Sequence, residues 1–191
     1  AVRKGGGLTL TVIEPNFDPA LQAELESVGA VLNPPDAGPV DVLVLAVKPQ
    51  AFAEAAKSAR RFVGANTCVL SIMAGITIEK LSRELGGERV VRAMPNTPSR
   101  IGRGITAYVP SPACGEDDKA LVAQLLAPLG EVEPMAAERL MDVDAPAVGA
   151  HEPLNRDAAA VRAQLVAALS IARAERIASA IELRTALTEA Q

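Results

Sequence analysis

The sequence predicts an α/β protein built on a doubly wound, mostly parallel sheet. Three observations predict it. Strand-type and helix-type segments alternate through most of the 191 residues. The segment 41–47 (DVLVLAV) is a nearly continuous apolar run, the pattern of a strand covered on both faces. The helix-type segments open on short polar residues and close on glycine, the expected start and stop signals.

The elements follow in order. Leu8–Ile13 (LTLTVI) is rich in strand formers. Asp18-Pro19 opens a helix, with Asp as N-cap and Pro at the first helical position. Leu21, Leu25 and Val28 share one face of it, and Gly29 stops it. After a Pro/Gly loop comes the strand Asp41–Val47, then a helix from Ala51 to Phe62. Thr67–Ile72 (TCVLSI) is the next strand. Thr77 caps a helix over Ile78–Leu85, ended by Gly86-Gly87. Arg89–Met94 and Ile105–Val109 read as strands. Asp117–Leu129 carries Leu121, Leu125 and Leu129 at four-residue spacing and reads as a helix; Gly130–Glu133 is a last short strand. Past residue 142 the character changes. Asp142–Pro153 (DVDAPAVGAHEP) has linker composition, and from Asn155 the chain is Ala-rich with Val161, Leu165 and Leu169 on one helical face. The expected organisation is a sheet domain at 1–142, a linker at 143–154 and a helical tail at 155–191.

Composition narrows the function. Apolar residues make up 49% of the chain and charged residues 22%, enough for a packed core. With three Phe, one Tyr and no Trp, that core must be aliphatic, and a base-stacking surface for single-stranded nucleic acid is not expected. The net charge of −4 and a pI near 5.1 give no basic stripe for nucleic acid or an anionic membrane. No apolar run approaches the roughly 20 residues of a spanning helix. Cys68 and Cys114 are far apart in sequence and His151 is the one histidine, so neither a disulfide frame nor a metal site is expected. Reduced thiols and no visible leader point to the cytoplasm. His151 sits between Pro and Gly residues and reads as a solvated linker residue.

Ligands of an open parallel sheet bind outside the carboxyl ends of its strands. Three loops leaving such ends have unusual composition: Ala46-Val47-Lys48-Pro49-Gln50, Ile72-Met73-Ala74-Gly75 and Met94-Pro95-Asn96-Thr97-Pro98. Small residues and prolines let a flat ligand approach the backbone. In the third, two prolines stiffen the loop around Asn96 and Thr97, which offer hydrogen bonds. The same composition also suits ordinary strand-to-helix turns.

The tracts DVLVLAVKPQ (41–50), VLSIMAGITIEKL (69–81) and RVVRAMPNTPSRIGRGITAYVP (89–110) resemble, in order and spacing, the amino-terminal domain of pyrroline-5-carboxylate reductases. The likeness runs from Leu8 to Asp142. It implies a Rossmann-like domain binding NADPH or NADH, and reduction of the C=N bond of pyrroline-5-carboxylate to give proline. It implies that Ala46, Val47, Lys48 and Pro49 lie along the cofactor. By the same likeness Ile72, Met73 and Ala74 face the nicotinamide, Ala74 also the substrate, and Asn96 orients the ring end. Asn16 falls where the family meets the adenosine ribose or its 2′-phosphate. Glu14 lies near it and would repel a phosphate, which leaves the choice between NADPH and NADH open. No metal or covalent nucleophile is implied, and no catalytic residue is singled out.

Two family features lack a counterpart. The family opens with a strand and a GxGxxG turn that holds the pyrophosphate. Here Ala1–Gly7 (AVRKGGG) leads directly into the first strand signal, so that first strand and glycine turn are expected to be missing, and Gly5–Gly7 reads as a flexible lead-in. The likeness also stops at Val143, and the tail at 155–191 does not resemble the family's helical dimerisation domain. Two readings follow: a reductase with a small-molecule substrate, or a non-catalytic remnant acting as a folding or association module. In either, the tail's apolar stripe offers a surface for homo-oligomerisation.

Overall fold

The structure, a computed structural model, describes residues 9–96, 98–99 and 102–143. The expected linker and tail, with His151, lie outside the described residues, as do Gly5–Gly7 and Thr97. The chain separates between Pro35 and Asp36 into two compact units.

The first unit contains one βαβ turn. β1 (Thr11–Val12) pairs in parallel with β2 (Val31–Leu32), and α1 (Pro19–Ser27) crosses between them. The cap is as anticipated: Asp18 Oδ1 accepts from the N–H groups of Ala20 and Leu21 at 3.0 and 3.2 Å. Gly29 leaves the helix with φ +72. The ends of β1 and β2 are tied by one amide. Asn33 Oδ1 accepts from Glu14 N at 2.9 Å, and Asn33 Nδ2 donates to Glu14 O at 2.8 Å. The strand expected over Leu8–Ile13 is limited to two paired residues, because β2 is itself only two residues long.

The second unit is a five-stranded sheet in the order β3-β4-β5-β6-β7. β3 (Val42–Leu45), β4 (Cys68–Ser71) and β5 (Val90–Pro95) are parallel neighbours. β6 (Gly104–Pro110) returns antiparallel to β5, and β7 (Gly130–Pro134) runs parallel to β6. The sheet is therefore α/β and mostly parallel as predicted, with its direction reversed once, between β5 and β6. The segment α2 (Phe52–Ala59) is shorter than expected, with 3₁₀ turns at 49–51 and 60–62. α3 (Ile78–Leu85) has the predicted cap, Thr77 Oγ1 accepting from Lys80 N at 3.2 Å, and ends at Gly86 with φ +77. α4 (Glu116–Leu126) gives way to a 3₁₀ turn at 127–129, and α5 (Glu138–Val143) follows β7.

All four residues of β4 are buried, as a strand with both faces covered requires. On one face Val69, Leu45 and Val90 pack with Phe52 and Ala56 of α2 and Leu81 and Leu85 of α3. Each such fully buried aliphatic side chain contributes about 1.5–3 kcal/mol of hydrophobic stabilisation. Cys68, Leu70 and Val91 alternate to the opposite face, also buried, on the side where α4 lies. Helices on both faces define the doubly wound arrangement.

Candidate functional site

The parallel pairing of β3, β4 and β5 brings their carboxyl ends to one edge of the sheet. Leu45 stands level with Ser71, and Ser71 with Arg92. The exits at 46–49 and 72–75 are thus adjacent. β5 continues past that level to Pro95, so Asn96 stands furthest out. Two strand spacings put the outer loops about 10 Å apart across the rim. Lys48, Ala74 and Asn96 share this edge.

The first loop offers half-buried Ala46, Val47 and Pro49 and the exposed Lys48, whose carbonyl accepts from Ala51 N at 2.9 Å to start the 3₁₀ turn. The second loop is tied to the first: Ile72 N donates to Leu45 O at 3.1 Å. Ile72 and Ala74 are half-buried. Met73 is not at the rim as a side chain. It is 2% exposed and packs in the core with Leu45, Phe52 and Leu81, because its main chain is turned inward by the bond from Met73 N to Ser71 Oγ at 3.3 Å. Gly75 has φ +70 with open space where a Cβ would stand, so glycine is set there by backbone angle and not by crowding.

The third loop is held by Asn96 itself. Its Oδ1 accepts from Ile105 N at 3.0 Å and from Ser99 Oγ at 3.4 Å, while Ser99 N donates to Asn96 O at 3.0 Å. The amide nitrogen of Asn96 has no partner among the described residues. One end of the side chain locks the loop, and the other remains a half-buried donor at the rim. Sequence reasoning missed what the loop packs on. Ser99 is fully buried, and a Cβ on Gly104 would fall 2.6 Å from the Ser99 Cα and main-chain nitrogen. Only glycine lets the loop lie on β6.

Sequence reasoning also passed over Arg92, visible as a lone charge inside an apolar run. It is fully buried, and its guanidinium meets Glu138 Oε1 at 3.2 Å; the same oxygen accepts from Ile78 N at 2.8 Å. One carboxylate thus joins β5, the start of α3 and the start of α5 beneath the rim. Asn16 lies in the other unit, exposed after β1, its N–H donating to Glu14 Oε1 at 3.2 Å.

The rim is therefore a half-buried apolar surface with a free amide donor and two exposed cations, Lys48 and Arg103, among its described residues. That donor set suits binding and orienting a flat, polar-edged ring. It fits the nicotinamide end of a dinucleotide. The opposite edge of the sheet does not. There a cleft of about 440 Å³ is lined by Arg89, Ala113, Gly115, Glu116, Asp117 and Asp118. Its acidic lining would repel a diphosphate. Asp118 bonds Arg89 (Nε to Oδ2 3.0 Å) and accepts from Gly115 N at 2.9 Å. Burial opposes ionisation of this carboxyl, but Arg89 and the Gly115 N–H outweigh it and hold it below the ordinary carboxylate value.

Sheet order and crossovers define a class of fold, the Rossmann-like α/β domain. Comparison with known proteins agrees. The family model Ketopantoate reductase PanE/ApbA matches residues 7–99, just under half of the chain. Within the class, the chain resembles the amino-terminal cofactor-binding domain of pyrroline-5-carboxylate reductases. It is 34% identical over 97 residues to that of Escherichia coli (strain K12), a match covering 50% of this chain and 36% of the relative. The structure of a pyrroline-5-carboxylate reductase from Coxiella burnetii superposes with a TM-score of 0.65 at 28% identity, covering 73% of this chain and 53% of that one. The Plasmodium falciparum pyrroline carboxylate reductase, solved with NADP bound, shares the fold at 21% identity and a TM-score of 0.55, over 74% of this chain and 62% of that one. The chain thus spans roughly a third to three-fifths of the length of these three relatives. No helix among the described residues is long and apolar enough to cross a membrane.

Proposed function

We propose that the chain is the cofactor-binding part of an NADPH- or NADH-dependent reductase acting on a C=N bond, with 1-pyrroline-5-carboxylate as substrate and L-proline as product. The observation that carries this reading is the meeting of three strand exits at one edge, where apolar surface and the Asn96 amide donor face outward together. In this reading Ala46, Val47, Lys48 and Pro49 line the cofactor. Ile72, Ala74 and the main chain of Met73 form the platform for the nicotinamide, with Ala74 small enough to admit the substrate ring. Asn96 Nδ2 donates to the polar edge of the nicotinamide.

A bound reduced nicotinamide would supply a hydride, one proton with two electrons, to the carbon of the protonated imine. The protein's part is placement. The rim residues fix the ring plane and exclude water from one side of it, and a protonated imine needs little further activation.

The ketopantoate reductase model favours a second reading, reduction of a C=O bond on the same rim. Both are tested by adding the purified chain to NADPH and NADH and following nicotinamide fluorescence. Saturable enhancement is expected for at least one cofactor. Proline formed from pyrroline-5-carboxylate supports the imine reading, and turnover of ketopantoate alone supports the carbonyl reading. No binding at millimolar cofactor overturns both and leaves a non-catalytic association module.

A further inference from the structure

Cys68 and Cys114, distant in sequence, meet in the folded protein. Cys68 begins β4 on the face toward α4. Cys114 precedes the N-cap residue of α4, and its Sγ lies 3.5 Å from Val90 O and 3.4 Å from Ser111 Oγ. Val90 is the register partner of Val69, the residue after Cys68, so Cys114 sits over the strand adjoining Cys68. The two thiols interact side chain to side chain, and both are free. The acidic cleft reaches the residues on either side of Cys114, Ala113 and Gly115. Cys114 is 8% exposed and Cys68 1%. A small solute in the cleft therefore reaches Cys114 first.

The thiols are also unequal. The interaction with Cys68, aided by Ser111, holds the Cys114 thiol below its ordinary value against burial. The same contact, together with burial, pushes Cys68 up. Cys114 is also the better placed of the two to react, being the more exposed and having Ser111 Oγ 3.4 Å from its sulfur.

We propose that Cys68 and Cys114 are an oxidisable pair, with Cys114 reacting with a hydroperoxide through the cleft and Cys68 resolving the product as an intramolecular disulfide. In the first step the Cys114 thiolate attacks one peroxide oxygen. The O–O bond breaks, Cys114 becomes a sulfenic acid, and the leaving hydroxide takes a proton to become water. In the second, Cys68 sulfur attacks Cys114 Sγ, the S–O bond breaks, and the sulfenic oxygen leaves as a second water with the Cys68 proton. Two thiols and one hydrogen peroxide give one disulfide and two waters. The new bond would fasten the loop before α4 to the start of β4, at the edge of the sheet opposite the cofactor rim.

The test uses the full native chain. It is treated with hydrogen peroxide, denatured, alkylated, and weighed intact. The expected product has lost two hydrogens, takes no alkylating reagent, and on digestion yields one peptide pair joining Cys68 to Cys114. In C68S the reaction should instead leave Cys114 over-oxidised by two oxygens, and in C114S Cys68 should remain a thiol. Full alkylation of both cysteines after peroxide overturns the proposal, as does a disulfide found only between two chains. Should C68S fold poorly, native labelling of the unmutated chain with a pyridyl disulfide decides the order of reactivity. Cys114 should label well ahead of Cys68, and equal or reversed rates count against the assignment.

Discussion

At the scale of single residues, Asn96 has two separable tasks. Its Oδ1 holds the loop to Ile105 and Ser99, and its Nδ2 is the free donor. Asn96→Ala removes both and should cost about 1–2 kcal/mol of stability as well as cofactor affinity. Asn96→Asp keeps the acceptor and loses the donor. It should melt close to the parent while binding NADPH at least several-fold more weakly; equal loss of melting temperature and affinity would assign Asn96 to structure alone. Gly104→Ala probes the surface the loop rests on. The added methyl meets Ser99 main chain, so unfolding should cost about 2–3 kcal/mol less than in the parent by denaturant titration. Asp118 makes the acid limb of stability visible. Its folded carboxyl titrates below its unfolded value, so its contribution is complete above about pH 4 and fades as pH falls through the folded value. Asp118→Asn should therefore be less stable than the parent at neutral pH, and the two should converge in strong acid.

At the scale of elements, Glu138 is the joint. It answers the buried charge of Arg92 and caps α3 through Ile78 N. Glu138→Gln keeps an acceptor for Ile78 but removes the Glu138 charge from its contact with buried Arg92, and should destabilise by about 2–3 kcal/mol in urea titrations. An unchanged midpoint would show that another group neutralises Arg92. This joint also shows what was legible in the sequence. Asp18, Thr77 and Gly86 carry local rules, and each capped or stopped the helix it was expected to. β2 and α5 were missed because two-residue and six-residue elements have too few positions to show a period. The reversal at β6 left no trace either, since strand composition does not encode direction. Met73 reads as a rim residue from its tract but is turned inward by one hydrogen bond to Ser71. The Cys68–Cys114 meeting depends on strand register across the sheet, which no local pattern records.

At the scale of the whole chain, the sheet divides its chemistry between two edges. The carboxyl edge carries half-buried apolar surface, Lys48 and the Asn96 donor. The amino edge carries the thiols, Arg89 and an acidic cleft. The likeness to pyrroline-5-carboxylate reductases was legible because its tracts are the strand exits themselves, and parallel pairing then placed those exits together. The measurement that tests this division most directly is a map of backbone amide chemical shifts during NADPH titration of the full chain. The account predicts that shifts concentrate at 46–49, 72–75 and 96, with 66–68 and 111–118 unmoved. Shifts confined to the amino edge, or none at saturating cofactor, would contradict it.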